Sequence, residues 1–149
     1  MYTTLLVIHI LAAGAWFGTN VVQFVVNPRV RSYPADIGSW WLRRTVAFGT
    51  RIYTPAAIVL LVTGVFLVID NDLFEFSSTF VTIGFTMVII GAGLGMFVFG
   101  PRGEAAASAI EAGNESEVRR LTGSLAGFGV LDSVLLVVTI IAMASKWGA

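Results

Sequence analysis

The chain has no cysteine among its 149 residues. That excludes disulfides, thiolate metal sites, iron–sulfur clusters and thiol catalysis together. It has a single histidine, His9. One histidine cannot make a bis-histidine haem site within one chain, and it supplies too few ligands for a zinc or copper centre. Charge is scarce as well: 12% of residues are charged, where a soluble domain carries about 25%. No HExxH motif, phosphate-binding glycine loop, nucleophile–base set or pair of carboxylates at one depth is present. No catalytic residue and no metal site is therefore expected, and the sequence points away from an enzyme. The basic segments lie beside aromatic and apolar runs, so nucleic acid is not an expected partner.

What fills the chain instead is apolar sequence, 56% hydrophobic by composition. Four runs, about Thr3–Val26, Ile52–Ile69, Thr79–Gly100 and Thr122–Ser145, dominate it. As helices each is roughly 27–36 Å long, enough to cross a ~30 Å hydrocarbon core. The expected fold is all-α, a four-helix transmembrane bundle in one domain. The longest connections, about 25 and about 21 residues, are too short for a separate soluble domain. The first run reads as a helix rather than a secretory leader, since Met1-Tyr2-Thr3-Thr4 gives it no basic start.

Basic residues set the expected orientation. Arg29, Arg31, Arg43, Arg44 and Arg51 fall in the first loop, Arg102, Arg119 and Arg120 in the third, and only Lys146 follows the last run. The second loop has Asp70, Asp72 and Glu75 and no base. By the positive-inside rule, loops one and three are cytoplasmic and both termini lie outside, in a bacterial cytoplasmic membrane. Tyr2, Phe74, Phe76 and Trp147 would anchor the outer boundary; Tyr33, Trp40, Trp41 and Tyr53 the inner one.

The first loop reads as a short interfacial helix capped by Asp36. Trp40, Trp41, Val46 and Phe48 would face lipid while Arg43, Arg44 and Arg51 meet headgroups. The plain reading is an anchor; the sharper one is a contact for anionic lipid. In the third loop Gly113 ends a helical run, Asn114-Glu115-Ser116-Glu117 resembles a capping box, and Pro101 marks a bend. The third and fourth helices are thus expected to continue into the cytoplasm as a hairpin.

In lipid, helices associate through small residues and interhelical hydrogen bonds. Gly14 and Gly18, Gly91 and Gly95, and Gly123 and Gly127 are spaced four apart, and Gly64 follows Thr63. These predict close helix contacts. The first helix adds a stripe: His9, Ala13, Trp16, Asn20, Gln23 and Asn27, in steps of four, three, four, three and four. That is the seam of a left-handed helix pair. It must face protein or water, because unpaired polar groups in hydrocarbon cost several kcal/mol.

Two ionisable residues fall at membrane depth, His9 and Asp132. An ionisable group there is a candidate functional residue. Counting from the helix midpoints, His9 lies roughly 8 Å outward of centre, level with Thr139, Phe66 and Gly84. Asp132 lies within roughly 2–3 Å of centre, level with Trp16. About 10 Å separates the two along the normal, so they are not expected to pair. Asp132 is expected either to accept from Trp16 Nε1 or to be held protonated by its apolar site. His9 is expected either to bond Thr139 or a carbonyl, or to be an axial ligand of a b-type haem completed by another subunit or by Met87 or Met143.

The run His9-Ile10-Leu11-Ala12-Ala13-Gly14-Ala15-Trp16-Phe17-Gly18, then Asn27-Pro28-Arg29, Thr63-Gly64 and Met143-Ala144-Ser145-Lys146, resembles small four-helix bacterial membrane proteins of the copper-resistance-D-like group and their uncharacterised relatives. Its histidine–tryptophan–glycine start is similar to that of HemJ-type protoporphyrinogen oxidases. The first likeness implies a copper-transport component, although the chain lacks extra histidines and methionine clusters. The second implies a haem-linked oxidase with His9 in the ligand's place, although its later lysine has no counterpart in the third helix. The residues themselves point first to a small membrane subunit or accessory protein. It would pack through its glycine faces and the His9 stripe against itself or a larger membrane complex. A haem-binding redox protein using His9 stands second, and a copper or small-solute transport component third.

Overall fold

The computed structural model describes residues 1–71 and 74–148; Asp72 of the second loop lies outside the described residues. The described chain is helical throughout, with no strand. The helices are α1 (Tyr2–Val26), α2 (Ala35–Phe48), α3 (Thr54–Ile69), α4 (Thr79–Leu94), α5 (Gly100–Glu111) and α6 (Glu115–Ser145). Four continuous rods result, Tyr2–Ser32, Ala35–Ile69, Thr79–Glu111 and Glu115–Ser145, each long and apolar enough to cross a membrane. The protein is a four-helix, multi-pass membrane bundle.

The second and third rods are longer than the expected spans. The first loop is not a separate helix lying flat: α2 continues into α3 through one wide turn, Gly49–Tyr53, and α4 continues into α5 through another, Gly95–Phe99. In each, the residue before a proline donates its N–H five positions back, Thr54 to Gly49 O and Gly100 to Gly95 O. Proline lacks an N–H and its ring clashes with the carbonyl four residues earlier. Widening one turn relieves that clash without ending the helix. Pro55 and Pro101 stand at the same distance from Gly49 and Gly95. The bend expected at Pro101 is this wide turn.

Beyond the wide turns α2 packs along α5, which packs along α6, so loops one and three share one end of the bundle. Val30, Leu42, Ala106, Ala107 and Leu121 form a core there. Gly103 makes the approach: a Cβ on it would stand 2.5 Å from Val46 Cγ2. Trp41 and Val46 therefore face protein rather than lipid, and Trp41 donates to Asn27 Oδ1 at 2.7 Å. Trp40 alone of the expected set stays well exposed, with Arg44 stacked over it at 5.3 Å. Arg43, expected to meet headgroups, pairs within the chain, with Glu104 and with Glu111 at 3.0 Å. Asp36 is no cap either: Pro34 occupies that position and Asp36 sits in the first turn, where its charge suits the helix dipole. The hairpin joining α5 to α6 follows expectation. Gly113 has φ +66 and Asn114 Oδ1 accepts the Glu117 N–H at 3.2 Å.

A second core fills the middle of the spans with Ala12, Trp16, Ala56, Leu60, Met87, Val88 and Leu136. A third, Val68, Phe80, Val81 and Ala142, closes the far end. There the Phe80 N–H donates to Trp147 O at 3.0 Å, tying the end of the chain to the start of α4.

Candidate functional site

The first-helix stripe is the polar spine of the bundle, and its partners lie within the same chain. Trp16 Nε1 donates to Asp132 Oδ2 at 3.2 Å, the bond expected from their common depth. Asn20 Nδ2 donates to the same oxygen at 2.8 Å and also reaches Ser133 Oγ at 3.1 Å. Tyr53 O–H donates to Asn20 Oδ1 at 2.6 Å, and Gln23 Nε2 donates to Tyr53 at 2.7 Å. Every donor in this run points towards Asp132. Aligned bonds of this kind polarise one another in a low-dielectric interior.

Asp132 is 3% exposed, and its two oxygens are treated differently. Oδ2 takes both N–H groups. Oδ1 is buried and has no hydrogen-bond partner among the described residues. It lies against α4, where the absent Cβ of Gly91 would be 3.6 Å away. A carboxyl held in this way has one oxygen fully committed and one open to a proton or another donor.

Tyr53 is not an interfacial anchor. It turns into the bundle, its ring edge-on to Trp16 with centroids 5.5 Å apart. The depth reasoning that paired Trp16 with Asp132 would have found it. Tyr53 lies about 11 Å inward of the midpoint of its span, close to the levels of Asn20 and Gln23.

His9 bonds Thr63 rather than Thr139, Nδ1 to Oγ1 at 2.8 Å. Thr139 donates instead to the Leu135 carbonyl at 2.8 Å. Thr63 is one helical turn inward of Phe66, the α3 residue level with His9, and within reach of an imidazole. The single Thr63 hydroxyl hydrogen points to Val59 O at 2.6 Å. His9 Nδ1 therefore supplies the hydrogen of its own bond, which leaves Nε2 as the bare nitrogen. The ring lies over Gly64, whose Cβ position is 3.6 Å from Cε1. His9 and Asp132 share no bond, as their separation in depth requires.

The glycine pairs do not form the contacts their spacing predicts. Nothing lies within 4 Å of a Cβ placed at Gly14, Gly18, Gly95, Gly123 or Gly127. Gly91 alone among the pairs is a contact, with the Trp16 indole 2.5 Å from its Cβ position. Gly84 makes room in the same way for the methyl group of Met143. At Gly84, Gly91 and Gly103 the absent Cβ accommodates one bulky side chain rather than a second backbone.

Of the five interfacial arginines, Arg29 donates to the Val25 carbonyl at 2.8 Å, while Arg43 and Arg44 are held as described above. Arg31 and Arg51 make no hydrogen bond or ion pair with any described residue. No group of three histidine, cysteine or acidic side chains suited to a metal occurs among the described residues. No family model, curated protein or solved structure matches the chain.

Proposed function

We propose that the protein is a small non-enzymatic membrane subunit or accessory protein that packs against a second copy or a larger membrane complex. One observation supports it above others: the polar side chains of α1 are committed within the chain, while Gly14 and Gly18 stand open on its other side. Around them Leu11, Phe17 and Val21 are exposed. A small-xxx-small pair with no partner in its own bundle suits close approach by another helix in lipid. The protein would sit in a bacterial cytoplasmic membrane with both termini outside, because every basic residue except Lys146 belongs to one end of the bundle.

A second reading rests on His9. Its Nδ1 is occupied as a donor and Nε2 is bare, the tautomer that an orienting partner imposes on a ligating histidine. His9 is half-buried at the seam of α1 and α3. A haem held there would lie at the edge of the bundle and take its other ligand from a second copy or a partner.

Purification in mild detergent separates the readings. The subunit reading expects an assembly by light scattering that Gly14→Leu reduces to single chains without unfolding them. An association untouched by that change overturns it. A Soret band with stoichiometric iron, lost in His9→Gln, would establish the haem reading instead. Orientation is checked by cysteines at Asn71, Gly113 and Gly148. The first and last should label from outside intact cells, and labelling at Gly113 would reverse the topology.

A further inference from the structure

At the end of the bundle beyond the spans, the turn after α1 and the tip of the α5–α6 hairpin leave a cleft of about 540 Å³. Part of its lining is apolar, including Val30 and Ala109, both buried. Its rim carries Arg31, Ser32, Tyr33, Glu115 and Arg119. We propose that this cleft binds a phosphate-bearing anion, and that the ligand is the headgroup phosphate of an anionic membrane lipid.

The arginines argue for it by contrast. At this end of the molecule Arg43 and Arg120 are paired with glutamates, and Arg29 bonds a carbonyl. Arg44 and Arg102 stack on Trp40 and Phe128. Arg31, from the turn after α1, and Arg119, from the first turns of α6, both line one cleft, yet neither bonds any described residue. Two arginines lining one cleft suit a phosphate, which can accept forked bonds from both. Ser32 gives its hydroxyl hydrogen to Arg29 O at 2.7 Å, so only the Tyr33 hydroxyl is left as a further neutral donor on the rim. Glu115 is the one acid there. The charge facing the cleft is two positive against one negative.

Depth assigns the source. Arg119 lies on α6, roughly 20 Å along the axis from Asp132, which is near the centre of the bundle. Half the hydrocarbon thickness is ~15 Å. Arg119 therefore lies about 5 Å beyond the acyl chains, in the layer that lipid phosphates occupy, where an anionic leaflet attracts bound arginine. A cleft of this volume takes a headgroup, and the apolar part of its lining suits the glycerol and upper acyl carbons.

The test uses the full chain in neutral detergent and follows its thermal unfolding midpoint. Phosphatidylglycerol, phosphatidylcholine and inorganic phosphate are added separately at equal ionic strength. Phosphatidylglycerol should raise the midpoint and phosphatidylcholine should not. Arg31→Gln and Arg119→Gln should each lose most of that rise, while Arg51→Gln, equally unbonded but outside the cleft, should keep it. Glu115→Gln should bind phosphatidylglycerol several-fold tighter, which native mass spectrometry reads without reference to folding. The proposal falls if phosphatidylcholine acts equally, if the double arginine variant keeps the rise, or if Arg51→Gln loses as much as Arg31→Gln. A rise produced by inorganic phosphate alone, and lost with the same two arginines, would keep the anion site and overturn the lipid assignment.

Discussion

In the spans, α1 meets α3 and α6 through side-chain hydrogen bonds from His9, Trp16 and Asn20. Beyond the wide turns, α2 meets α5 through Leu42, Ala106 and Ala107, with Arg43, Glu104 and Glu111 left outside. The two regions are continuous along the same rods, yet what joins their helices differs. The solvent explains it. Lipid tails are as apolar as leucine, so burial there gains little and bonds between polar groups supply the specificity. The charges around α2 and α5 suit contact with water, where removing carbon from solvent stabilises by about 25 cal/mol per Å². Helices there use alanine to come close and leave their ions at the rim.

The contrast predicts that the largest single loss comes from the end of the bundle beyond the wide turns. Leu42 is 2% exposed. Leu42→Ala should cost about 2–5 kcal/mol, the usual range for a cavity in a water-driven core. Amide exchange should speed first in α2 and α5 and leave α1 and α4 protected. Equal loosening of the spans would mean that the two regions are one cooperative unit.

Next in size is Gly91, the glycine on which the polar spine depends. Gly91→Ala places a methyl group 2.5 Å from Trp16 Cζ2. The indole must move, which weakens its bond to Asp132 and costs about 1–3 kcal/mol by overpacking. Gly18→Ala, with open space around it, should leave the midpoint of the isolated bundle unchanged. Similar losses at both glycines would show that spacing rather than contact decides their role.

These two glycines also mark where the sequence stops being legible. Four spans could be read because the length of an apolar run is set by the bilayer alone. The bond from Trp16 to Asp132 could be read because equal depth and complementary groups leave few options. The partner of His9 could not: Thr63 and Thr139 are both within an imidazole's reach of its level, and only the lean of α1 towards α3 chooses between them. Glycine spacing marks where helices can approach, not whether a side chain or a backbone fills the gap. The continuity of α2 with α3 was hidden by charge in Arg43, Arg44 and Arg51, which signals an interface but not the direction in which the helix leaves it. Pro55 and Pro101 held the missing clue, since each follows a glycine at the same interval.

The smallest effects test the comparison most directly, because salt should act on one region and not the other. Arg43→Gln removes an exposed ion pair with Glu104 and Glu111. Exposed pairs contribute little, and ions screen them within a Debye length of about 10 Å at 0.1 M. The difference between Arg43→Gln and the natural protein should therefore shrink as salt rises. Tyr53→Phe removes one hydroxyl from the polar run in the spans while keeping the whole ring. Membrane hydrogen bonds average about 0.6 kcal/mol, so at low salt the two variants should lie close together. At high salt they should part, because the Asp132 cluster is buried in a region that mobile ions do not enter. Thermal midpoints of both variants across a salt series give the answer. If Tyr53→Phe converges on the natural protein as Arg43→Gln does, water and ions reach the Asp132 cluster, and the division between a lipid-driven and a water-driven half is wrong.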